Sequence, residues 1–393
     1  MMTRRSKRRP CSHAGNEGAK FQHIPFDLVT EIFLRLPSES ISRFRCLSKL
    51  WDSTFRSPNF IESFRTISSS RRKLLFACVS DNKTFFFSSP QRQDSSPLTA
   101  SFLTSFPMSY PYDIHRQWTL GPTDGNVQSI CNLSTGQILT LPVAKKRSYV
   151  VQSSLGFDPV DKQLKVLCTT ESNENGYPEE QHQVLTLGDG DKMSWRKIKC
   201  DIPHFDDVHR KDGICINGVL YYLFVDYSDD EDYDEEFPDI VCFNVRSEKF
   251  SYIKKDKKFA DSRRNFNSNL VNYKGKLAKL KLKTGPNQGI YTDIQMWVLQ
   301  DAKKHQWSSY TYVLPPPWKS IVAGATLRFL GITNKGEIVM SPWCIGKCFY
   351  LVYYNPERNS LTKVEIKGMQ AYRGGKAYVF LDHVEDVNRM PNI

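Results

Sequence analysis

Apolar positions change their spacing once along this chain, near residue 70. Between Ile24 and Phe64 they recur at steps of three and four residues, the period of an amphipathic helix. Leu28, Ile32 and Leu36 define one such face, with Val29 and Phe33 beside it. Pro25 suits a first helical turn, where its missing N–H costs nothing, and Pro37 ends the segment. Asp27 and Glu31 near the start and Arg35 near the end complement the helix dipole, and Glu31 with Arg35 forms an i,i+4 pair. Ser38 is placed to cap a second short helix bearing Ile41 and Phe44. Leu47, Leu50, Trp51 and Phe55 continue the pattern, and Ser57-Pro58 breaks it before Phe60, Ile61 and Phe64. Three or four short helices in so few residues cannot build a self-sufficient core, so their apolar surface calls for a partner.

Beyond Lys73 the period falls to two, with short strands separated by turn residues to the end of the chain. One series of hairpins opens its return strands at Ile138, Trp195, Phe250, Trp307 and Leu361, at steps of 57, 55, 57 and 54 residues. A second, interleaved series turns at Asn217-Gly218, Lys274-Gly275 and Asn334-Lys335-Gly336, where glycine supplies the positive φ that tight loops demand. Two hairpins per repeat make four strands, and four-stranded units that cannot cover both faces alone point to radial stacking in a kelch-like β-propeller. The repeat length predicts six blades, with Tyr378–Asp382 pairing with Leu74–Val79 to close the ring. A large antiparallel β-sandwich is the alternative, because the repeats fade before Ile130.

The expected organisation is a basic disordered tail over residues 1–20, a helical module over 21–66, a polar linker over 67–72 and an all-β domain over 73–393. No apolar run is long enough to span a membrane and the N-terminus lacks a secretory h-region, so the expected setting is intracellular. The ten cysteines are spread singly, as small buried hydrophobes are in a reducing compartment, and they predict neither a disulfide framework nor a metal site. A net charge of +12 invites a nucleic-acid reading, yet five of those charges cluster at Arg4, Arg5, Lys7, Arg8 and Arg9, a pattern that fits a nuclear-import signal. The other cations are scattered without the aromatic interleaving of a stacking groove.

The helical segment resembles an F-box. Ile24-Pro25 stands where that family usually has Leu-Pro, and Leu28, Ile32, Leu36-Pro37, Arg43, Arg45, Cys46, Ser48-Lys49, Trp51 and Ser57-Pro58 with Phe60 fall in register. The strand region is similar to the associated interaction domain that follows the F-box in many plant proteins, through Gly156-Phe157-Asp158-Pro159, Gly213 to Tyr222 and Phe243 to Phe250. The resemblance implies docking on a Skp-family adaptor and, through it, on a cullin and a RING subunit of an SCF-type ubiquitin ligase. The adaptor-binding residues it implies are Ile24, Pro25, Leu28, Ile32, Leu36, Pro37, Leu47 and Trp51. The β domain would hold a target protein for ubiquitination, with no catalysis and no cofactor of its own. A basic nucleic-acid-binding protein and, behind it, a propeller hydrolase are the alternatives from other classes.

Three further features are candidates for target binding or for structure. The stretch Asp226–Asp239 holds nine acidic residues and no basic one; Asp230 and Asp232 are its candidates for meeting a basic target, although glutamate occupies the turn position that a calcium loop gives to glycine. Trp318, after Pro315-Pro316-Pro317, is expected to be an exposed contact on a rigid loop. Lys279, Lys281 and Lys283 alternate with Leu280 and Leu282, as on an edge strand protected by charge. No phosphate loop, G-x-S-x-G or H-E-x-x-H motif occurs, and His204, Asp206, Asp207 and His209 form the one dense titratable cluster.

Overall fold

The computed structural model describes residues 24–387, apart from 81–82, 93, 108–112, 116–117, 125–126, 135, 145–148, 173–178, 189–192, 201, 203–207, 211–212, 227–237, 255–267, 285–290 and 323–324. Four helices come first: α1 (Phe26–Arg35), α2 (Ser38–Arg45), α3 (Lys49–Arg56) and α4 (Pro58–Ser70). Ser48 Oγ accepts from Leu50 N to cap α3, and Ser57 Oγ accepts from Phe60 N to cap α4, with Pro58 in its first turn. Ser38 behaves differently from the expected cap. It lies inside α2, and its hydroxyl donates to Glu385 Oε1 at 3.0 Å. The expected linker also shrinks: α4 absorbs Ile67 to Ser70, leaving Arg71 and Arg72 before the first strand at Lys73.

The strands form six sheets among the described residues, antiparallel throughout except where the two-residue strand Leu98–Thr99 runs parallel to Ser360–Lys367 at the edge of the last. The first joins Lys73–Ser80, Lys83–Pro90 and Ser101–Phe106 to the last strand of the chain, Ala377–His383. The other five are meanders in chain order, starting at Asp113–His115, Tyr149–Asp158, Val208–Arg210 with Ile214–Ile216, Ser268–Tyr273 and Leu327–Ile332. These starting strands pack one against the next, as Ser268–Tyr273 does on Leu327–Ile332 and Leu327–Ile332 on Ala377–His383, so they form the inner wall of a ring. Six apolar clusters fill the six junctions between successive sheets, for example Leu280, Met296, Phe329 and Val352 between the fifth and sixth, and Leu74, Phe76, Leu351 and Val364 between the sixth and first. A sandwich would have two sheets and one core; the propeller replaces that alternative.

The ring closes as the sequence predicts, with Phe76 opposite Val379 and Ala77 opposite Tyr378. Pairing the two chain ends removes the open edge that a linear array of sheets would leave. The tight turns also fall where expected: Asn217 and Gly218 have φ of 49° and 81°, Lys274 and Gly275 of 52° and 82°. Lys279, Lys281 and Lys283 do not lie on an edge. Their strand, Lys276–Thr284, is paired on both sides, with Ser268–Tyr273 and Tyr291–Asp301. Lys279 is buried, because the faces of the sheet are covered by neighbouring blades rather than one of them by water.

The meanders give the ring two unlike ends. At one end lie the tight turns and the points where Ala377–His383 finishes and Lys73–Ser80 begins. The opposite end carries the longer described connections, including 343–348 and 368–376. The four helices stand at the tight-turn end, where Ser42 Oγ donates to Ser134 O at 3.1 Å.

Candidate docking surface

The helical module is sealed on one side and open on the other. On the sealed side Phe33, Leu34, Ile41, Phe55, Phe60 and Phe64 are buried together, and the residue that completes their cluster is Val387, from the far end of the chain. Phe33 sits at the centre of an aromatic group, its ring 5.1 Å from Phe44, 5.1 Å from Trp51 and 4.9 Å from Phe55 between centroids.

Polar contacts surround that apolar seam. Glu385 accepts from Ser38 and pairs with Lys73 Nζ at 3.0 Å, and Asp386 pairs with Arg65 at 3.1 Å. The guanidinium of Arg45 is buried and donates from Nη2 to both Phe55 O at 3.2 Å and Val387 O at 2.6 Å. Arg71 reaches back from the short linker to donate to the carbonyls of Arg35 and Leu34, which end α1 without intrahelical partners. Against the expectation that only another polypeptide would complete the helices, the chain's own C-terminal segment covers this side.

The open side holds the apolar residues that the sequence picked out. Ile24, Leu28, Ile32 and Leu47 are between 51% and 71% exposed, and Pro25 and Pro37 are exposed with them. Leu28 and Ile32 lie one helical turn apart on α1, with Ile24 just before its start, while Phe33 and Leu34 face the core, so the orientation of α1 fixes which half of it meets solvent. Leu36 and Trp51 divide from that set: both are half-buried in the module's own cluster, where Trp51 also packs 5.4 Å from Phe44. Phe26 and Leu50 join the exposed set, although neither is among the adaptor-binding residues that the resemblance implies. The three-residue step from Leu47 to Leu50 is the signal that identifies the second of them. Glu31–Arg35, Glu39–Arg43 and Asp52–Arg56 are exposed i,i+4 pairs, each worth only about 0.3–0.5 kcal/mol, and they keep the rim of this surface polar.

The target-binding candidates fare differently. Trp318 is 3% exposed: it opens α5 (Trp318–Val322) and is buried with Val322, Leu327 and Tyr350 between the fifth and sixth sheets. Trp318 N donates to Pro315 O and Ile321 N to Pro317 O, so the proline run turns into a helix and folds the indole inward. Asp230 and Asp232 lie outside the described residues, as do His204, Asp206 and Asp207. The tryptophans at equivalent repeat positions, Trp195 and Trp307, are half-buried against the blade cores, as expected of structural residues. Burial raises the thiols of Cys78, Cys131 and Cys242 to about 12, so they stay protonated and inert.

Residues 21–63 match the family model of the F-box domain, and residues 73–384 match that of the F-box associated beta propeller domain. F-box protein At3g61340 of Arabidopsis thaliana is 51% identical over 414 residues, spanning 100% of this chain and 99% of its own. F-box protein DOR of the same plant is 44% identical over 384 residues, spanning 93% and 94%. Among solved structures, oligogalacturonate lyase from Vibrio parahaemolyticus covers 74% of this chain and 78% of its own at 11% identity and a TM-score of 0.36, a likeness too slight to bear on chemistry. With both family models in register on a helical module and a closed ring of blades, the chain belongs to the F-box proteins that carry an F-box associated β-propeller domain.

Proposed function

We propose that this chain is the target-recognition subunit of an SCF-type ubiquitin ligase. The exposed side of α1 and the α2–α3 junction receives a Skp-family adaptor, which brings the cullin and RING subunits, while the propeller holds the protein to be modified. The chain performs no bond chemistry. Its contribution is proximity, raising the effective concentration of target lysines near the conjugating enzyme. The observation that carries this reading is the half-sealed module: Ile24, Leu28, Ile32, Leu47 and Leu50 stay in water although the opposite side of the same helices is closed by Val387. Covering a leucine or isoleucine fully is worth about 1.5–3 kcal/mol, so a partner that takes up this set gains a useful fraction of that at each position.

Co-purification tests it. The full chain retains a Skp-family adaptor, and a Pro25→Ala, Leu28→Ala variant loses it while its thermal unfolding is unchanged, because both side chains are already exposed. Equal adaptor recovery by the variant and the parent overturns the assignment. The setting we propose is the cytoplasm and nucleus, with the cluster Arg4 to Arg9 as the import signal.

A further inference from the structure

The end of the propeller away from the F-box carries a rigid aromatic and cationic patch at the junction of the sixth and first sheets. Two connections build it. Residues 343–348 follow the strand Ile338–Pro342, and residues 368–376 lead into the inner strand Ala377–His383. They are zipped together by backbone hydrogen bonds: Ala377 N to Trp343 O at 3.2 Å, Ile345 N to Gly375 O at 3.0 Å and Gly374 N to Ile345 O at 2.8 Å, with Cys344 bridged to Lys376. Ile345 is buried beneath them. Gly375 permits the close approach, since a Cβ there would lie 3.0 Å from Tyr372 O and 3.2 Å from Val79 O.

On this ladder Trp343 remains 46% exposed, and it is held rather than loose. The Arg328 guanidinium lies 5.1 Å from its ring centroid and 5.3 Å from that of Tyr378, and Arg328 Nη2 donates to Ala377 O. A pre-positioned indole loses little freedom on binding, which is why such residues dominate interface energetics. Around it stand Lys347, Arg373 and Lys376, all exposed, and neither connection contains an aspartate or glutamate. Among the described residues none of these three cations is in a salt bridge.

We infer that this patch is where the propeller holds its target, and that the segment it receives is an acidic peptide stretch carrying an apolar or aromatic residue for Trp343. The inference rests on the target-receptor reading and adds to it the face and the chemistry of recognition. Charge complementarity selects the occupant, because three unpaired cations beside one ordered tryptophan repel basic segments and leave neutral ones without electrostatic gain.

The test uses the full chain and two fluorescein-labelled peptides of equal length, one glutamate-rich with a central tyrosine and one lysine-rich, read by fluorescence anisotropy. The glutamate-rich peptide binds the parent at least tenfold more tightly than the lysine-rich one, and increasingly weakly as salt is raised. A K347E, R373E, K376E variant loses at least tenfold, Trp343→Ala loses severalfold, and K303E, K304E, reversing exposed charges on a tight turn at the F-box end, changes binding less than twofold. Binding that survives the patch reversal, or a parent that does not discriminate the two peptides, overturns the inference. Adaptor co-purification is measured on the parent and the same variants, so a failed receptor reading shows as a parent that recovers no adaptor, and a misplaced target face shows as peptide binding unaltered by the patch reversal while adaptor recovery is retained.

Discussion

Deleting residues 385–393 while keeping the inner strand Ala377–His383 removes the segment that binds the F-box to the propeller. Its loss can be summed from the contacts described. Exposing the Val387 site gives up about 1.5–2 kcal/mol of apolar burial. The Glu385 contacts with Ser38 and Lys73 and the Asp386 contact with Arg65 are partly buried and contribute about 1 kcal/mol each. Arg45, inside the module, loses its acceptor at Val387 O, which costs about 1–3 kcal/mol for a desolvated cation. Allowing for relaxation and shared partners, the helices lose roughly 3–6 kcal/mol of support. Hydrogen exchange reads this directly, since amides in α2 and α3 open through local unfolding of the module. Their exchange accelerates by roughly a hundredfold to ten-thousandfold, at about 1.4 kcal/mol per decade. Amides in Lys73–Ser80, paired with the retained closing strand, are unchanged. Exchange in α2 and α3 within tenfold of the full chain would refute the claim that the tail completes the module.

Two other outcomes follow from the same structure. Trp318→Ala destabilises the protein by about 3–5 kcal/mol in urea unfolding, since it empties a site between two blades, and it leaves peptide binding to the folded fraction unchanged. Glu248 is held below the ordinary carboxylate value of 4.5 by hydrogen bonds from Arg196 and then Lys165, both at 2.7 Å, across the junction of the third and fourth sheets. A depressed folded-state pKa gives stability that is fully present above the unfolded value and lost as pH falls through the folded one. The melting-temperature gap between the parent and Glu248→Gln is therefore constant above about pH 5 and closes below pH 4.5; a gap independent of pH would dismiss the pairing as a stabilising element.

Local signals in the sequence translated directly into structure. Asn217-Gly218 and Lys274-Gly275 became tight turns because positive φ is a property of the residues themselves. Pro25, Pro37 and Ser57-Pro58 punctuated the helices for the same reason, and the near-constant step between hairpins gave the blade. What misled was always non-local. An alternating Lys and Leu pattern implies a wet face and a dry face, but the second strand of a blade has a strand on each side and a blade on each face, so Lys279 is buried. Three prolines suggest a stiff exposed loop, but Trp318 is drawn into a cavity formed by sheets whose strands lie on either side of it in the chain. Glu385-Asp386-Val387 resembles any solvated tail, and its partners Arg45, Ser38 and Arg65 are more than three hundred residues away.

That last juxtaposition bears on how the proposed receptor would work. A module joined by a free linker would let a bound target wander, and its effective concentration at the conjugating enzyme would fall as the accessible volume grew. Here only Arg71 and Arg72 separate α4 from the first strand, Arg71 is itself hydrogen-bonded to the end of α1, and the C-terminal segment crosses to the helices from the strand that closes the ring. The helices therefore stand on the propeller through the short linker, the Ser42–Ser134 hydrogen bond and the C-terminal segment, and the pairing that closes the ring also positions the last of these. Because the longer described connections lie at the other end of the ring, a target gripped there as proposed would be held one propeller thickness from the adaptor, in an orientation set by the C-terminal segment. On this reading, weakening that segment slows target modification by more than it lowers adaptor binding or target binding, each measured separately.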